Sequence, residues 1–283
     1  MSAQILDGAA VARRLLDDTA RRAARFARLS GRRPCLATVL IGDDPSSHTY
    51  VRMKVNRCAQ YGLDSLRVDL PAATTTSAAV RAVERLSADP HVDGILVQHP
   101  APAHVDERAV FEAIAPHKDV DGVTAASFSA MALGLPGYAS CTPGGIVRLL
   151  DAYGVDVAGR DAVVVGASVI LGRPLGMLLL ARDATVTYCH KATADLGAHV
   201  RRADIVVAAA GVPELIRGSW VRPGAVVVDA GYHPGNVGDV EFAAAAERAS
   251  LITPVPGGVG PMTIATLLAQ TVEGAEQRAA CAA

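Results

Sequence analysis

Tyr50 and Lys54 lie four residues apart in a helical pattern, which puts both side chains on one face about one turn apart. Lys54 is flanked by Val51, Met53 and Val55, and that apolar setting implies partial burial. Burial lowers a lysine pKa and makes the amine useful for proton transfer near neutral pH; the plainer alternative is an exposed lysine beside a packing tyrosine. A short apolar run, Gly94–Val97, ends in Gln98 and then His99-Pro100. Ligands of open α/β sheets gather at the carboxyl ends of strands, so Gln98 is positioned to hydrogen-bond a substrate or to orient Lys54. The stretch Lys118-Asp119-Val120-Asp121-Gly122 holds two acids and a lysine within five residues. It is either a solvated turn or the place where a carboxylate reads a heterocycle.

The second half of the chain suggests nucleotide chemistry. A strand pattern over Ala162–Val165 runs into Gly166, Ala167 and Ser168, and then through Gly172, Arg173 and Pro174 into an apolar helix, Leu175–Ala181. A strand, a glycine turn and a helix start together point backbone N–H groups and a helix dipole at phosphate. The spacing departs from G-x-G-x-x-G, since Ser168 replaces the second glycine and Gly172 comes six residues after Gly166. The next strand, Ala184–Tyr188, ends in Cys189-His190-Lys191, with no carboxylate to accept from a ribose 2′-OH. Lys191 at that tip can neutralise a 2′-phosphate, which favours NADP over NAD, while His190 either adds a contact or simply closes the strand. Strand Ile205–Ala209 leads to Gly211-Val212-Pro213, a small-residue turn that lets a nicotinamide ring approach the backbone. Farther on, Ile252–Thr263 mixes Pro254, Pro256 and Pro261 with Gly257, Gly258 and Gly260. That mixture suits a shaped loop built to touch a ligand, or a tight connector between strand and helix.

Alternating elements must position these groups. Further strand candidates are Cys35–Ile41, Ser65–Leu70, Ala225–Asp229 and Leu251–Thr253; helical stretches cover Thr49–Tyr61, Ser77–Ser87, Glu107–Ile114 and Gly145–Tyr153. Ser77 reads as an N-cap, and Gly62 and Gly154 sit where helix C-caps belong. Strand–helix alternation with short connections predicts an α/β fold with parallel sheets. Gly134, Pro136 and Gly137 break the pattern. The expected organisation is an α/β catalytic domain over residues 1–138 and a Rossmann-like parallel-sheet nucleotide-binding domain over 139–262, with a C-terminal helix, 263–283, returning to the first domain.

Composition narrows the partners. The 283 residues are 51% hydrophobic and 19% charged, with a net charge of −1, which fits a well-packed globular protein and argues against a nucleic-acid or anionic-membrane surface. Arg13, Arg14, Arg21, Arg22, Arg25, Arg28, Arg32 and Arg33 cluster along one helical pattern with Leu15, Leu16 and Phe26, and read as a solvated helix face. Five dispersed cysteines without C-x-x-C spacing suggest reduced thiols, no zinc site and a reducing compartment. With no signal-peptide pattern and no apolar run of membrane-spanning length, the expected location is cytoplasmic.

Taken together, these segments resemble the bifunctional methylenetetrahydrofolate dehydrogenase/methenyltetrahydrofolate cyclohydrolase family over nearly the whole chain. The matching motifs are Tyr50–Lys54, Asp93–Gln98, Lys118–Gly122, Cys141-Thr142-Pro143, Gly166–Pro174, Thr185–His190 and Pro254–Thr263. The resemblance implies hydride transfer from 5,10-methylenetetrahydrofolate to NADP⁺, followed by hydrolysis of the methenyl product to 10-formyltetrahydrofolate, with no metal. It implies that Lys54 handles the proton of the hydrolytic step, that Gln98 holds and tunes it, and that Tyr50 stacks near the folate. Asp121 would bond the amino-pyrimidine edge of the pterin, with Val97, Pro256, Gly257 and Gly258 among the other substrate contacts. Gly166, Ala167, Ser168, Gly172, Arg173, His190, Lys191 and Gly211 would bind the nucleotide, and the protein would be a homodimer joined through its nucleotide domain. Two features depart from the pattern. His99 stands where leucine is usual, which puts a titratable ring near Lys54 with the capacity to disturb it electrostatically. The 229–239 connector is short and lacks the asparagine usual soon after Asp-x-Gly. The competing readings are a dehydrogenase that has lost the hydrolytic step, a non-catalytic folate- or NADP-binding paralogue, and a different two-domain NADP oxidoreductase.

Overall fold

Short β-branched runs joined by helices pair in parallel, because each helix carries the chain back across the sheet before the next strand begins. The computed structural model, which describes residues 3–282, has that arrangement twice. In chain order its elements begin with β1 (Gln4–Ile5), α1 (Gly8–Ser30), β2 (Cys35–Ile41), α2 (Pro45–Gln60), β3 (Asp64–Leu70), α3 (Thr76–Ala88) and β4 (Gly94–Val97). Then come α4 (Glu107–Glu112), α5 (Ala125–Leu133), α6 (Cys141–Ala152), β5 (Asp161–Val165), α7 (Gly172–Leu180) and β6 (Thr185–Cys189). The chain finishes with α8 (Leu196–Arg202), β7 (Ile205–Ala208), β8 (Val226–Asp229), α9 (Phe242–Ala246), β9 (Leu251–Ile252) and α10 (Val259–Ala282).

One compact unit comprises residues 14–130, 136–139 and the chain from 267 onward. It contains a three-stranded parallel sheet in the order β3-β2-β4. Val39 and Ile41 of β2 and Ile95 and Val97 of β4 pack with Val83 of α3 and Phe111 of α4. The order reverses at β2, so the carboxyl ends of β2 and β4 form the crevice where ligands of such sheets gather.

The other unit comprises the residues up to 13, then 131–135 and 140–266. It holds a six-stranded parallel sheet, β1-β9-β8-β7-β5-β6, whose order reverses at β5. The N-terminal residues, expected with the first half, belong here because β1 adds to the sheet edge, Gln4 against Leu251 and Ile5 against Ile252.

Several element ends differ from the sequence reading. α2 starts at Pro45 behind the Asp44 N-cap, whose carboxylate accepts from Ser47 N at 2.7 Å. α3 is capped by Thr75 rather than Ser77. α10 begins at Val259, not Thr263, with Pro261 in its first turn, where a missing N–H leaves no helical bond unmade.

The basic helical pattern of α1 is only partly solvated. Arg22 donates to Glu276 at 2.6 Å. Arg32 donates to both carboxylate oxygens of Asp93, at 2.6 and 2.8 Å. Asp93 is fully buried, and it also accepts from Cys35 N at 2.8 Å and from the Arg278 guanidinium. The hydrogen bond to Asp93 holds the Arg32 guanidinium above its ordinary value, against the opposing effect of burial. One carboxylate thus ties together the start of β2, the entry to β4 and the far part of α10. Asp93→Ala leaves two arginines facing a desolvated space, and is expected to lower the unfolding free energy of this unit by about 3 kcal/mol, read from urea denaturation.

Candidate active site

β4 is buried along its whole length, and Gln98 extends its ladder by donating N–H to Val39 O at 2.8 Å. This fixes the Gln98 backbone on the central strand and leaves its side chain at the carboxyl end of the sheet. Lys54, half-buried on α2, donates Nζ to Gln98 Oε1 at 3.0 Å. The Gln98 amide is held at its other end too, with Nε2 donating to His99 O at 2.6 Å. The two residues are therefore brought together across 44 positions of sequence, in an orientation set from both sides. Tyr50, one turn earlier on α2, is 47% exposed, an aromatic face open to stacking rather than committed to the core. Val97 is buried in the strand itself. The His99 ring turns to Glu107, Nδ1 lying 2.7 Å from Oε2, so the link from His99 to Lys54 runs through the His99 carbonyl.

The acid-rich turn resolves into distinct tasks. Lys118 is buried and donates Nζ to Leu86 O at 3.2 Å and Asp89 O at 2.6 Å, closing the end of α3. Burial, and then the nearby Arg278 charge, pull its pKa down. Asp119 is fully buried and accepts from Val123 N, Thr124 N and Ser127 Oγ, which organises the entry to α5. Asp121, after the buried Val120, is half-buried. Of the two acids, it is the one with a surface from which to read a ligand. Val120 O accepts from Gln270 Nε2 of α10 at 2.6 Å, and this anchors the turn just before Asp121.

In the other unit, Gly166 leaves β5 at the point where the strand order reverses. Its φ is +130°, and a Cβ there would lie 2.0 Å from Ala209 O, so no other residue fits this turn. A Cβ on Gly172 would meet Gly166 O at 1.9 Å, so the start of α7 presses directly on the turn. Ser168 takes the place of a second glycine by doing hydrogen-bond work: its Oγ accepts from Leu171 N at 3.2 Å and Gly172 N at 3.4 Å. Ala167 O accepts from Arg173 Nε at 3.0 Å, which folds the exposed arginine back over the turn. The turn therefore offers a hydroxyl, a guanidinium and the end of α7 to an anion.

At the tip of β6, His190 and Lys191 are exposed, and the His190 ring accepts from Ala192 N through Nδ1 at 3.2 Å. The nearest following acid, Asp195, is occupied as the N-cap of α8, accepting from Ala198 N at 3.0 Å.

Sequence reading missed Asp239, because the amides it holds lie 28 and 29 residues away. This fully buried carboxylate accepts from Ala210 N and Gly211 N, both at 2.7 Å, and so fixes the turn after β7; His233 Nε2 lies 2.8 Å from its other oxygen. Neighbouring Asp229 has its carboxyl pushed up by burial, against the pull of backbone N–H groups from Asp239, Gly231 and Val240. The short 229–239 connector thus wraps two buried acids, with His233 packed against one of them.

Pro256 is exposed, Gly257 half-buried and Gly258 buried. Gly257 O accepts from Ala9 N at 2.9 Å, and a Cβ on Gly8 would lie 1.8 Å from Gly258 O. That close approach requires the glycine at 8, whereas Gly257 is set by its own φ of +103° and Gly258 by the loop itself, since a Cβ there would meet Pro254 O at 2.6 Å. Among the described residues, no group of three or more His, Cys, Asp or Glu side chains is placed to hold a metal ion, and no helix is long and apolar enough to cross a membrane.

Comparison with known proteins agrees with this layout. Residues 6–121 match the model of the tetrahydrofolate dehydrogenase/cyclohydrolase catalytic domain, and residues 140–279 match the NAD(P)-binding domain of the same family. The chain is 67% identical over 277 residues to the bifunctional protein FolD 1 of Salinispora arenicola, covering 98% of this chain and 99% of that one. Among solved structures, the bifunctional methylenetetrahydrofolate dehydrogenase/cyclohydrolase FolD of Campylobacter jejuni superposes with a TM-score of 0.95 at 41% identity, over 98% of this chain and 100% of that chain. The Trypanosoma brucei dehydrogenase-cyclohydrolase, solved with NADP cofactor and inhibitor, gives 0.94 at 38% identity over 99% of both chains. The chain belongs to the tetrahydrofolate dehydrogenase/cyclohydrolase family.

Proposed function

We propose that this protein oxidises 5,10-methylenetetrahydrofolate to the 5,10-methenyl form with NADP⁺, and then hydrolyses that product to 10-formyltetrahydrofolate. The single observation that supports both steps in one chain is the Lys54–Gln98 hydrogen bond at the carboxyl end of β4. A dehydrogenase without the hydrolytic step has no need of an amine held in this way.

NADP⁺, when bound, accepts the hydride. Removing hydride from the one-carbon bridge leaves an iminium-like carbon, and water attacks such a carbon readily. What the chain must then supply is orientation and a proton route. Lys54 as a neutral amine takes one proton from the attacking water and returns it to the ring nitrogen as the C–N bond breaks. The remaining hydroxyl proton leaves to solvent as the formyl carbonyl forms, and Gln98 keeps the amine aimed at the reacting carbon. Tyr50 stacks on the folate, Asp121 accepts from the amino-pyrimidine edge of the pterin, and Val97 and Pro256–Gly258 supply further contacts. Gly166, Ala167, Ser168, Gly172 and Arg173 would hold the diphosphate, and Gly211 would leave room for the nicotinamide. His190 and Lys191 meet the 2′-phosphate; the absence of an acid at the β6 tip, with Asp195 spent on its helix cap, supports this choice of cofactor. The family resemblance supports a homodimer joined through the nucleotide-binding unit, whose sheet ends on β6. Dispersed free thiols suit a reducing, cytoplasmic setting.

Two measurements test this reading. In the first, methenyl accumulation and reduced cofactor are followed separately in wild type and Lys54→Met. Hydrolysis should fall by about a hundredfold or more while hydride transfer continues, so that methenyl product accumulates. Wild-type hydrolysis in that variant would remove Lys54 from its role. In the second, Lys191→Ala should raise the KM for NADP⁺ about tenfold, the loss of one charge-assisted contact, and leave the KM for NAD⁺ nearly unchanged. Equal changes for the two cofactors would place the 2′-phosphate elsewhere.

A further inference from the structure

We infer that Glu107 is a positioning residue for the hydrolytic step, acting on Lys54 through the His99 turn and Gln98. The proposal rests on the assignment of Lys54 to proton transfer. A glutamine amide presents a carbonyl on one side and an NH₂ on the other, and the two are nearly equal in shape. The carbonyl toward Lys54 accepts from its Nζ, whereas a flipped amide would donate to that nitrogen and compete for the lone pair that must take the water proton. The group that selects the correct orientation is His99 O, which accepts from Gln98 Nε2 at 2.6 Å. The aim of Lys54 therefore depends on where the backbone of residue 99 is held.

Glu107 holds it from both ends of the turn. One carboxylate oxygen lies 2.7 Å from His99 Nδ1, and the other accepts from Ala101 N at 2.8 Å. The downstream part of the same loop is fastened elsewhere. His104 Nε2 lies 3.0 Å from Thr74 O, and Asp106 N donates to Thr76 Oγ1 at 2.9 Å. Glu107 is the first residue of α4, and its neighbour Asp106 caps that helix by accepting from Ala109 N at 3.1 Å. The carboxylate is thus carried on a fixed turn of backbone, while the His99 ring it grips is half-exposed at 48%. A partly exposed contact of this kind adds little to stability, so its consequence lies in geometry. A misplaced catalytic group loses rate steeply with distance, which makes a supporting contact of this type measurable.

The test compares Glu107→Ala, Glu107→Gln and Lys54→Met in separate dehydrogenase and cyclohydrolase assays, with thermal midpoints for each. Glu107→Ala should lower the kcat of hydrolysis about tenfold, within the range of couplings between contacting residues, and leave hydride transfer within about twofold. Glu107→Gln should recover most of that loss, because its amide oxygen still accepts from Ala101 N and its NH₂ can donate to the other tautomer of His99. In a Lys54→Met background, Glu107→Ala should add no further loss, since the group it positions is gone. If Glu107→Ala fails to fold, His99→Ala removes the ring but keeps the carbonyl, and should lower hydrolysis about threefold. Wild-type hydrolysis in Glu107→Ala, or in His99→Ala if that variant stands in, overturns the proposal while a loss in Lys54→Met leaves the reading beneath it intact. A parallel fall in both activities with a lower midpoint, unrelieved by Glu107→Gln, also overturns it, because that is the signature of a merely structural contact. Undiminished hydrolysis in Lys54→Met overturns the underlying reading and the proposal with it.

Discussion

A hydrogen bond from Lys54 Nζ on α2 to a side-chain carbonyl at the end of β4 is the constraint around which the proposed active site is arranged. An amine that is to exchange protons with water at a reacting carbon needs a fixed direction, and a lysine has four flexible methylenes between its backbone and its charge. Gln98 provides the fixed point, because its own backbone continues the ladder of the sheet and its amide is gripped from the far side by His99 O. The surrounding architecture has to deliver two separate segments to that meeting. β2 does so as the central strand: it pairs with β4 on one side, and α2 follows directly from its carboxyl end.

The nucleotide-binding unit applies the same economy with backbone in place of side chains. Gly166 and Gly172 are required by direct backbone collisions, while Ser168 stands in place of a glycine and its hydroxyl accepts from the amides of Leu171 and Gly172. Asp239 then does for the turn after β7 what Gln98 does for Lys54, holding a short segment from a distant part of the chain. In each unit the group proposed to meet a ligand is the tip of a chain of contacts whose base is in the sheet.

Much of this was legible in the sequence, and the exceptions have physical reasons. The strands over Cys35–Ile41 and Gly94–Val97 declared themselves because β-branched runs buried on both faces leave a compositional trace. The Tyr50–Lys54 spacing and Gln98 could be read because local period and strand ends are sequence properties. β1 could not, since its two residues become a strand only by pairing with β9. The division of labour within Lys118–Asp121 was invisible for a similar reason: burial and partners, not residue type, separate the structural Asp119 from the half-exposed Asp121. Pro261 misled because proline breaks a helix interior yet is welcome in a first turn, and the sequence did not say which position it held. His99 was read as a threat to Lys54 through its ring, whereas the ring pairs with Glu107 and the backbone carbonyl makes the connection.

The most direct examination of the central claim compares wild type with Gln98→Ala, following the titration of isotope-labelled Lys54 Nζ by NMR beside the pH dependence of the hydrolytic rate. If Lys54 is the proton carrier that Gln98 holds, its titration and the rate profile coincide in wild type and shift together when the amide is removed. A rate profile that stays in place while the Lys54 titration moves, or a Lys54 titration indifferent to the loss of Gln98, contradicts the account.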